Sequence, residues 1–284
     1  MPIARIVLWV SSLGGLALLA RTLVFEPPPL WLALSVMLAY VAFATVGVLV
    51  PQLEMFGDVV WRGQPGSRSV ALTFDDGPHP RTTRQVLEIL ARSGHRATFF
   101  VVGRKARLYP DVVREIHEAG HGIGLHGYTH ARLYSLKPPS YVVLDIEKTR
   151  QAVEDACGVR PNLFRPPVGY VSSRTAAGAR KTGVTLVGWS ARGIDGLGAT
   201  DAARVVRRIQ KKLSGGAIVL LHDASENDDF VPASIEALPE LLKLIEARGM
   251  RTVGVEDLIE EQEPAGAELQ GAAGSSITKR APPE

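Results

Sequence analysis

The sequence predicts an α/β fold of parallel strands joined by helices, carried behind an N-terminal membrane anchor. Three observations predict it. The first fifty residues hold two long apolar stretches, short apolar runs alternate with helix-patterned stretches from Ser69 onward, and chemistry-bearing side chains recur directly after those runs. The chain has 284 residues, a formal charge of +3 and one cysteine, Cys157. That length allows one large domain or two small ones. The weak charge, with no basic run interleaved with aromatics, argues against nucleic acid as a partner. A single cysteine excludes an internal disulfide and a cysteine-built zinc site.

The anchor comes first along the chain. Residues 30–50 carry no charged side chain. At roughly 1.5 Å of rise per residue, such a stretch crosses about 30 Å, the thickness of the hydrocarbon core. Trp31 and Pro51 suit an interfacial anchor and a stop. Residues 6–25 form a second span, preceded by Arg5 and interrupted near its far end by Arg21, which can snorkel to the headgroups. A signal peptide also fits the basic start and short apolar centre, but no clear small-residue cleavage site follows Ala20. Glu26-Pro27-Pro28-Pro29 then links two transmembrane helices into a hairpin over residues 1–51, which puts the N-terminus and the rest of the chain on one side. Residues 52–68 are expected as a linker and 69–260 as the folded domain.

Within that domain the apolar runs predict strands at 70–74, 97–102, 122–125, 162–164, 185–189, 217–221 and 251–253. Helix-like stretches lie between them, at 83–92, 111–119, 141–156, 173–181, 201–213 and 235–247. Val112, Val113, Ile116 and Ala119 fall at helical spacing. Gly120, Gly158, Gly183 and Gly249 sit just past helices, where a left-handed cap is expected. The alternation implies parallel strands joined by right-handed crossovers. Seven strands suit a closed or nearly closed barrel, with an open doubly wound sheet as the alternative. In both, functional groups belong at the C-terminal ends of the strands. Residues 261–284 turn to Glu, Ala, Gly, Ser and Pro without periodicity and read as a disordered tail.

The strand ends carry the chemistry. The first strand runs into Asp75-Asp76-Gly77-Pro78, where adjacent carboxylates point to different sides and can hold different jobs. The third runs into Leu125-His126-Gly127-Tyr128-Thr129-His130, two histidines able to converge on one metal as neutral imidazoles. The fourth gives Phe164-Arg165-Pro166-Pro167-Val168-Gly169-Tyr170, a loop stiffened by prolines that can fix an arginine and a backbone N–H. The fifth ends in Trp189-Ser190-Ala191-Arg192-Gly193-Ile194-Asp195 and the sixth in Leu220-Leu221-His222-Asp223. A histidine with an ordinary pKa of about 6.5 suits proton donation near neutrality. Each motif alone has a bland reading: an acidic turn, surface histidines, a rigid turn, a satisfied core histidine. Their recurrence at five strand ends on one expected face favours a site. An Asp with two His leaves metal positions open to water, as catalysis requires. His117 and His121 straddle a helix end and read as surface or supporting residues.

Taken in order, Thr73-Phe74-Asp75-Asp76-Gly77-Pro78, His126-Gly127-Tyr128-Thr129-His130, Arg165-Pro166-Pro167-Val168-Gly169 and Leu221-His222 resemble the motifs of the polysaccharide deacetylase family, the NodB homology domain, over residues 70–258. The resemblance implies a distorted (β/α)7 barrel preceded by the N-terminal transmembrane helices, a divalent metal (commonly zinc), and hydrolysis of acetamido groups on sugars. It implies Asp75 as general base, Asp76, His126 and His130 as metal ligands, and His222 as general acid. Arg165 would orient Asp75 and itself be held by Asp195, while the Val168 N–H would face the oxyanion. Pro167, Val168, Gly169, Tyr170, Trp189 and Leu220 would line the sugar site. Some positions depart from the family pattern. Gly127 stands where Ser or Thr is usual, Val168 where an aromatic often stands, and Arg192 and Gly196 replace an acid and a tryptophan. The expected partner is an N-acetylated glycan (peptidoglycan, exopolysaccharide or lipid-linked N-acetylglucosamine), met by an extracytoplasmic domain on a membrane anchor. The rivals are an amide hydrolase or O-acetyl esterase on another substrate, a non-haem iron oxygenase using two His and one carboxylate, and a non-catalytic glycan-binding protein. The presence of both Asp75 and His222 argues against the last.

Overall fold

A computed structural model describes residues 1–196, 200–225 and 230–262. Apart from Glu261 and Gln262, the expected tail lies outside the described residues. At the N-terminus, α1 (Ile3–Arg21) and α2 (Leu30–Leu49) are apolar all round, with mean hydropathies of 1.9 and 2.3, and Gly47 is the one buried residue between them. Both are long and apolar enough to cross a membrane. They fold back on each other, and the Ser12 and Tyr40 hydroxyls meet at 2.9 Å.

The domain is built on one parallel sheet of β1 (Ser69–Asp75), β2 (Thr98–Val101), β3 (Gly122–Leu125), β4 (Leu163–Phe164), β5 (Thr185–Leu186), β6 (Ala191–Arg192), β7 (Ile218–His222) and β8 (Arg251–Val253). The order is β5-β4-β3-β2-β1-β7-β6, and β8 pairs with the start of β1. This is the distorted barrel the sequence implied, with eight strands rather than seven. The extra one is β6, a two-residue edge strand whose Ala191 and Arg192 pair with Val219 and Leu220. Ala191 and Arg192 stand in no apolar run of their own, so the sequence shows only the run expected at 185–189. Around the sheet pack α3 (Thr82–Ser93), α4 (Gly103–Leu108), α5 (Pro110–Glu118), α6 (Pro139–Cys157), α7 (Ser173–Thr182), α8 (Ala202–Gln210), α9 (Ser234–Ala247) and α10 (Val255–Glu260). Neither α4 nor α10 was expected, because six residues hold too few turns to show a period. The Ser172 and Asp201 side chains cap α7 and α8 by accepting from the Thr175 and Arg204 N–H groups. Gly158 and Gly183 end α6 and α7 at φ of 76° and 69°.

Strand periodicity sorts the side chains. On β1, Val70, Leu72 and Phe74 enter the main core beneath the helices, while Ala71, Thr73 and Asp75 point into the barrel. Burying each large apolar side chain of the first set contributes roughly 1.5–3 kcal/mol. A smaller cluster of Ala71, Phe100, Leu163, Val187, Ile218 and Val253, with Val255 and Leu258 of α10, plugs the barrel interior. On β7 the same alternation puts Val219 and Leu221 under the helices and leaves Leu220 and His222 on the concave side.

The segment expected as a linker is part of the fold. Val60 bridges Val187 and Arg62 bridges Ala217, so the segment spans the gap between β5 and β7. Its backbone bonds include Val60 N–H to Leu186 O at 2.9 Å and Gly188 N–H to Val60 O at 2.8 Å, and Met55 and Val59 are buried. The hairpin is tied to the domain at the same place. The Val171 N–H donates to Val48 O at 3.3 Å, the Gln52 amide donates to Trp189 O at 2.9 Å, and Arg5 donates to Glu54 O at 2.8 Å.

Candidate active site

Asp75 ends β1 facing the barrel interior and is almost fully buried. Its Oδ1 accepts a hydrogen bond of 2.6 Å from Arg165 Nη1. Arg165 is itself wholly enclosed. It also donates to Thr73 Oγ1 (2.8 Å) and Gly188 O (2.9 Å), and its guanidinium lies 4.1 Å over the Phe100 ring. Its place after β4 and these four partners leave it one position, aimed at Asp75. Burial raises the pKa of Asp75 against the opposing pull of Arg165 and His222, so its carboxylate is a stronger base than an ordinary aspartate.

The next residue turns away. Asp76 adopts φ of 73°, a left-handed conformation that Asp tolerates, and its carboxylate faces the histidines instead of Arg165. Gly77 follows because a side chain there would meet the Asp223 carboxylate 2.3 Å from its Cβ. His126 Nε2 stands 3.5 Å and His130 Nε2 3.2 Å from Asp76 Oδ1. The ligand atoms of Asp76, His126 and His130 all lie within 4.8 Å of one another. His126 Nδ1 is 2.7 Å from Arg165 O. A carbonyl only accepts, so Nδ1 carries the proton and Nε2 turns a lone pair to the cluster. Burial, followed by the neighbouring His130, pushes the His126 pKa down to about 3, so this ring is neutral. Asp76 Oδ1 is buried and accepts no hydrogen bond among the described residues. An orphaned carboxylate oxygen beside two imidazole nitrogens is a donor set that fits a divalent cation.

The loop carrying the histidines is strapped from two sides. Gly103 and Arg104 donate their N–H groups to Gly127 O and Tyr128 O, each at 2.9 Å. Asp145 of α6 accepts from the Tyr128 N–H at 3.0 Å and the Tyr134 hydroxyl at 3.1 Å. Sequence reading missed Asp145. The available signal was an acid on the buried stripe of α6, beside Val142, Ile146 and Thr149.

His222 closes the opposite side. Its Nδ1 is 3.1 Å from Asp195 Oδ1, and its backbone N–H donates to Asp195 Oδ2 at 2.7 Å. Here the structure corrects an expectation, because Asp195 holds His222 and not Arg165. Asp195 follows β6, and β6 lies beside β7, whereas Arg165 follows β4 across the barrel. Burial alone would lower the His222 pKa; Asp195, with Asp76 and Asp75 beyond it, outweighs that and raises it to about 10.

These groups share one cleft of about 600 Å³, lined also by Val168, Gly169, Trp189 and Leu220. Pro167 and Tyr170, expected to line it, do not. Pro167 is buried beside Gly127, and Tyr170 lies outside the lining. Arg132, Arg192, Ile194, Gly196 and Ser225 line the cleft without having been expected to. His121 is buried against Phe99, away from the cleft. A larger hollow of about 750 Å³ between the hairpin and α7 holds no histidine.

Residues 62–187 match the family model described as polysaccharide deacetylase. A peptidoglycan-N-acetylglucosamine deacetylase of Bacillus cereus is 34% identical, over 73% of this chain and 96% of its own length. The chain belongs to the polysaccharide deacetylase family. Among solved structures of this fold, the peptidoglycan deacetylase PdaC of Bacillus subtilis superposes with a TM-score of 0.61 at 28% identity, covering 74% of this chain and 96% of PdaC. A pseudoenzyme of carbohydrate esterase family 4 from Bacillus anthracis reaches 0.65 at 24% identity, covering 72% of this chain and 70% of that one. The polysaccharide deacetylase fold therefore does not guarantee turnover, which depends on the side chains gathered in the cleft.

Proposed function

We propose that this chain is a membrane-anchored hydrolase that removes N-acetyl groups from an N-acetylated glycan, with a divalent cation, zinc, held by Asp76, His126 and His130. One observation carries the reading. A strong carboxylate base, an Asp-His-His cluster and a protonated histidine converge from three separate strand ends on one cleft. When bound, the cation supplies Lewis acidity toward the amide carbonyl and acidifies a water. Asp75, aimed by Arg165, takes the proton from the attacking water. The water oxygen bonds to the acetyl carbon, and the Val168 N–H, in a turn at φ of 63°, donates to the developing oxyanion. His222, aimed by Asp195, gives its proton to the nitrogen as the carbon–nitrogen bond breaks. The products are acetate and a free amine. The Bacillus cereus relative's name supplies the sugar, N-acetylglucosamine. The two apolar helices support a membrane location, and an extracytoplasmic domain would meet such glycans.

The test is acetate release by the purified full chain, with and without zinc, from peptidoglycan, chitin oligomers and an O-acetylated glycan. Zinc-dependent release from the N-acetylated substrates is expected. Release from the O-acetylated glycan alone, or from none of them, would overturn the proposal.

A further inference from the structure

The hairpin is mounted on the wall of the cleft, and the mount is stiff. Trp189 forms that wall together with Gly169, packed so closely that a Cβ on the glycine would lie 2.3 Å from the indole. Trp189 O takes the amide of Gln52, three residues beyond the end of α2, and the Val171 N–H, two residues past Gly169, is bonded to Val48 O inside α2. Below that junction Met55 packs on Gly47, where a Cβ would lie 2.2 Å from its sulfur. The chain from there to β1 is bridged to Val187 and Ala217 and does not hang free. A cleft held this way opens beside the membrane end of α2. It cannot range outward on a tether of the kind a flexible chain of this length would provide.

The second observation is a charge. Arg192 pairs in register with Leu220, so its side chain stands on the same concave face and lines the cleft, exposed. The nearby acids of the cleft are committed elsewhere, Asp75 to Arg165, Asp76 to the histidine cluster and Asp195 to His222. Arg192 has no ion pair among the described residues. A solvated guanidinium inside a substrate cleft suits an anion on the substrate, and its planar fork matches phosphate oxygens.

We propose that the substrate is an acetamido sugar joined through phosphate to a membrane lipid, with Arg192 contacting the phosphate while the sugar's acetamido group enters the cleft. This rests on the deacetylase reading above and narrows its substrate. The full chain, reconstituted with zinc in phosphatidylcholine vesicles, would be given three substrates: polyprenyl-phosphate-linked N-acetylglucosamine in the same vesicles, N-acetylglucosamine 1-phosphate in solution, and uncharged triacetylchitotriose. The expected order of kcat/KM is lipid-linked, then soluble phosphate, then neutral. Arg192→Gln is expected to cut the preference for phosphorylated over neutral sugar by roughly tenfold, the size of one charge-assisted contact. Equal or better turnover of triacetylchitotriose would overturn the inference and leave the deacetylase reading standing. Equal turnover of the two phosphates would overturn the lipid part alone. No acetate from any of the three would bring down the deacetylase reading and this inference together.

Discussion

At the scale of single residues, two adjacent aspartates have opposite surroundings. Asp75 looks into the barrel at a buried arginine, and Asp76, one left-handed residue later, looks at two imidazoles. Substitutions should separate them. Asp76→Ala should lose zinc and activity together, whereas Asp75→Asn should keep zinc and lose roughly 10²–10⁴-fold in kcat, the usual worth of a general base. Elemental analysis beside an acetate assay distinguishes the two. Asp195 offers a pH test. It supports a His222 pKa of about 10, against the burial that would lower it. Asp195→Asn removes that support, so the acid form of His222 is lost at lower pH. The alkaline limb of the kcat profile should therefore move toward neutrality, and a profile that stays in place would rule out His222 as the proton donor.

At the scale of elements, the histidine loop owes its shape to α6. Asp145 turns a buried carboxylate toward the loop and takes the Tyr128 N–H, midway between His126 and His130. Gly127, at φ of 74°, has no side chain with which to steady the loop, so the work falls to Asp145 and the Tyr134 hydroxyl. Asp145→Ala should weaken zinc binding by roughly 10- to 100-fold, as loss of a group supporting a metal ligand usually does. Asp145→Asn keeps an acceptor oxygen and should restore most of it. Zinc affinity measured by chelator competition reads this directly, apart from turnover. An Asp145→Ala chain that binds zinc normally would show the loop to be held by the α4 contacts alone.

At the scale of the whole molecule, stability should carry an acid limb from His121. This ring is buried against Phe99, with its Nδ1 lacking a partner among the described residues. Burial first, and then the nearby Arg96, lowers its pKa from 6.5 to about 4. The folded state thus binds this proton less readily than the unfolded chain. The stability the neutral ring provides is fully present above pH 6.5 and drains away as pH falls toward 4, by at most about 3 kcal/mol. His121→Leu has no proton to take up there. Its melting temperature should fall less than the parent's between pH 7 and 4, and parallel curves would refute the assignment.

How much of this was legible in the sequence follows from range. Apolar runs and caps are local signals, so the seven strands that lie in apolar runs, the six longer helices and the two N-terminal apolar helices could be read from neighbouring residues. So could the candidates at the strand ends, because parallel strands deliver their C-terminal ends to one face. The edge strand β6, whose Ala191 and Arg192 stand in no apolar run, a six-residue helix and a bridge from Val60 to Val187 leave no periodic trace. Which acid serves which base is likewise a matter of strand order. Asp195 serves His222 because β6 lies beside β7, and Asp145 reaches Tyr128 only because α6 packs over β3. The sequence by itself determined the list of reactive groups and the end of the barrel on which they stand, because side-chain chemistry and strand period are written residue by residue. The tertiary structure alone decided their pairing, their burial and the seating of the cleft against the N-terminal helical hairpin, because those depend on groups that meet only after distant segments pack.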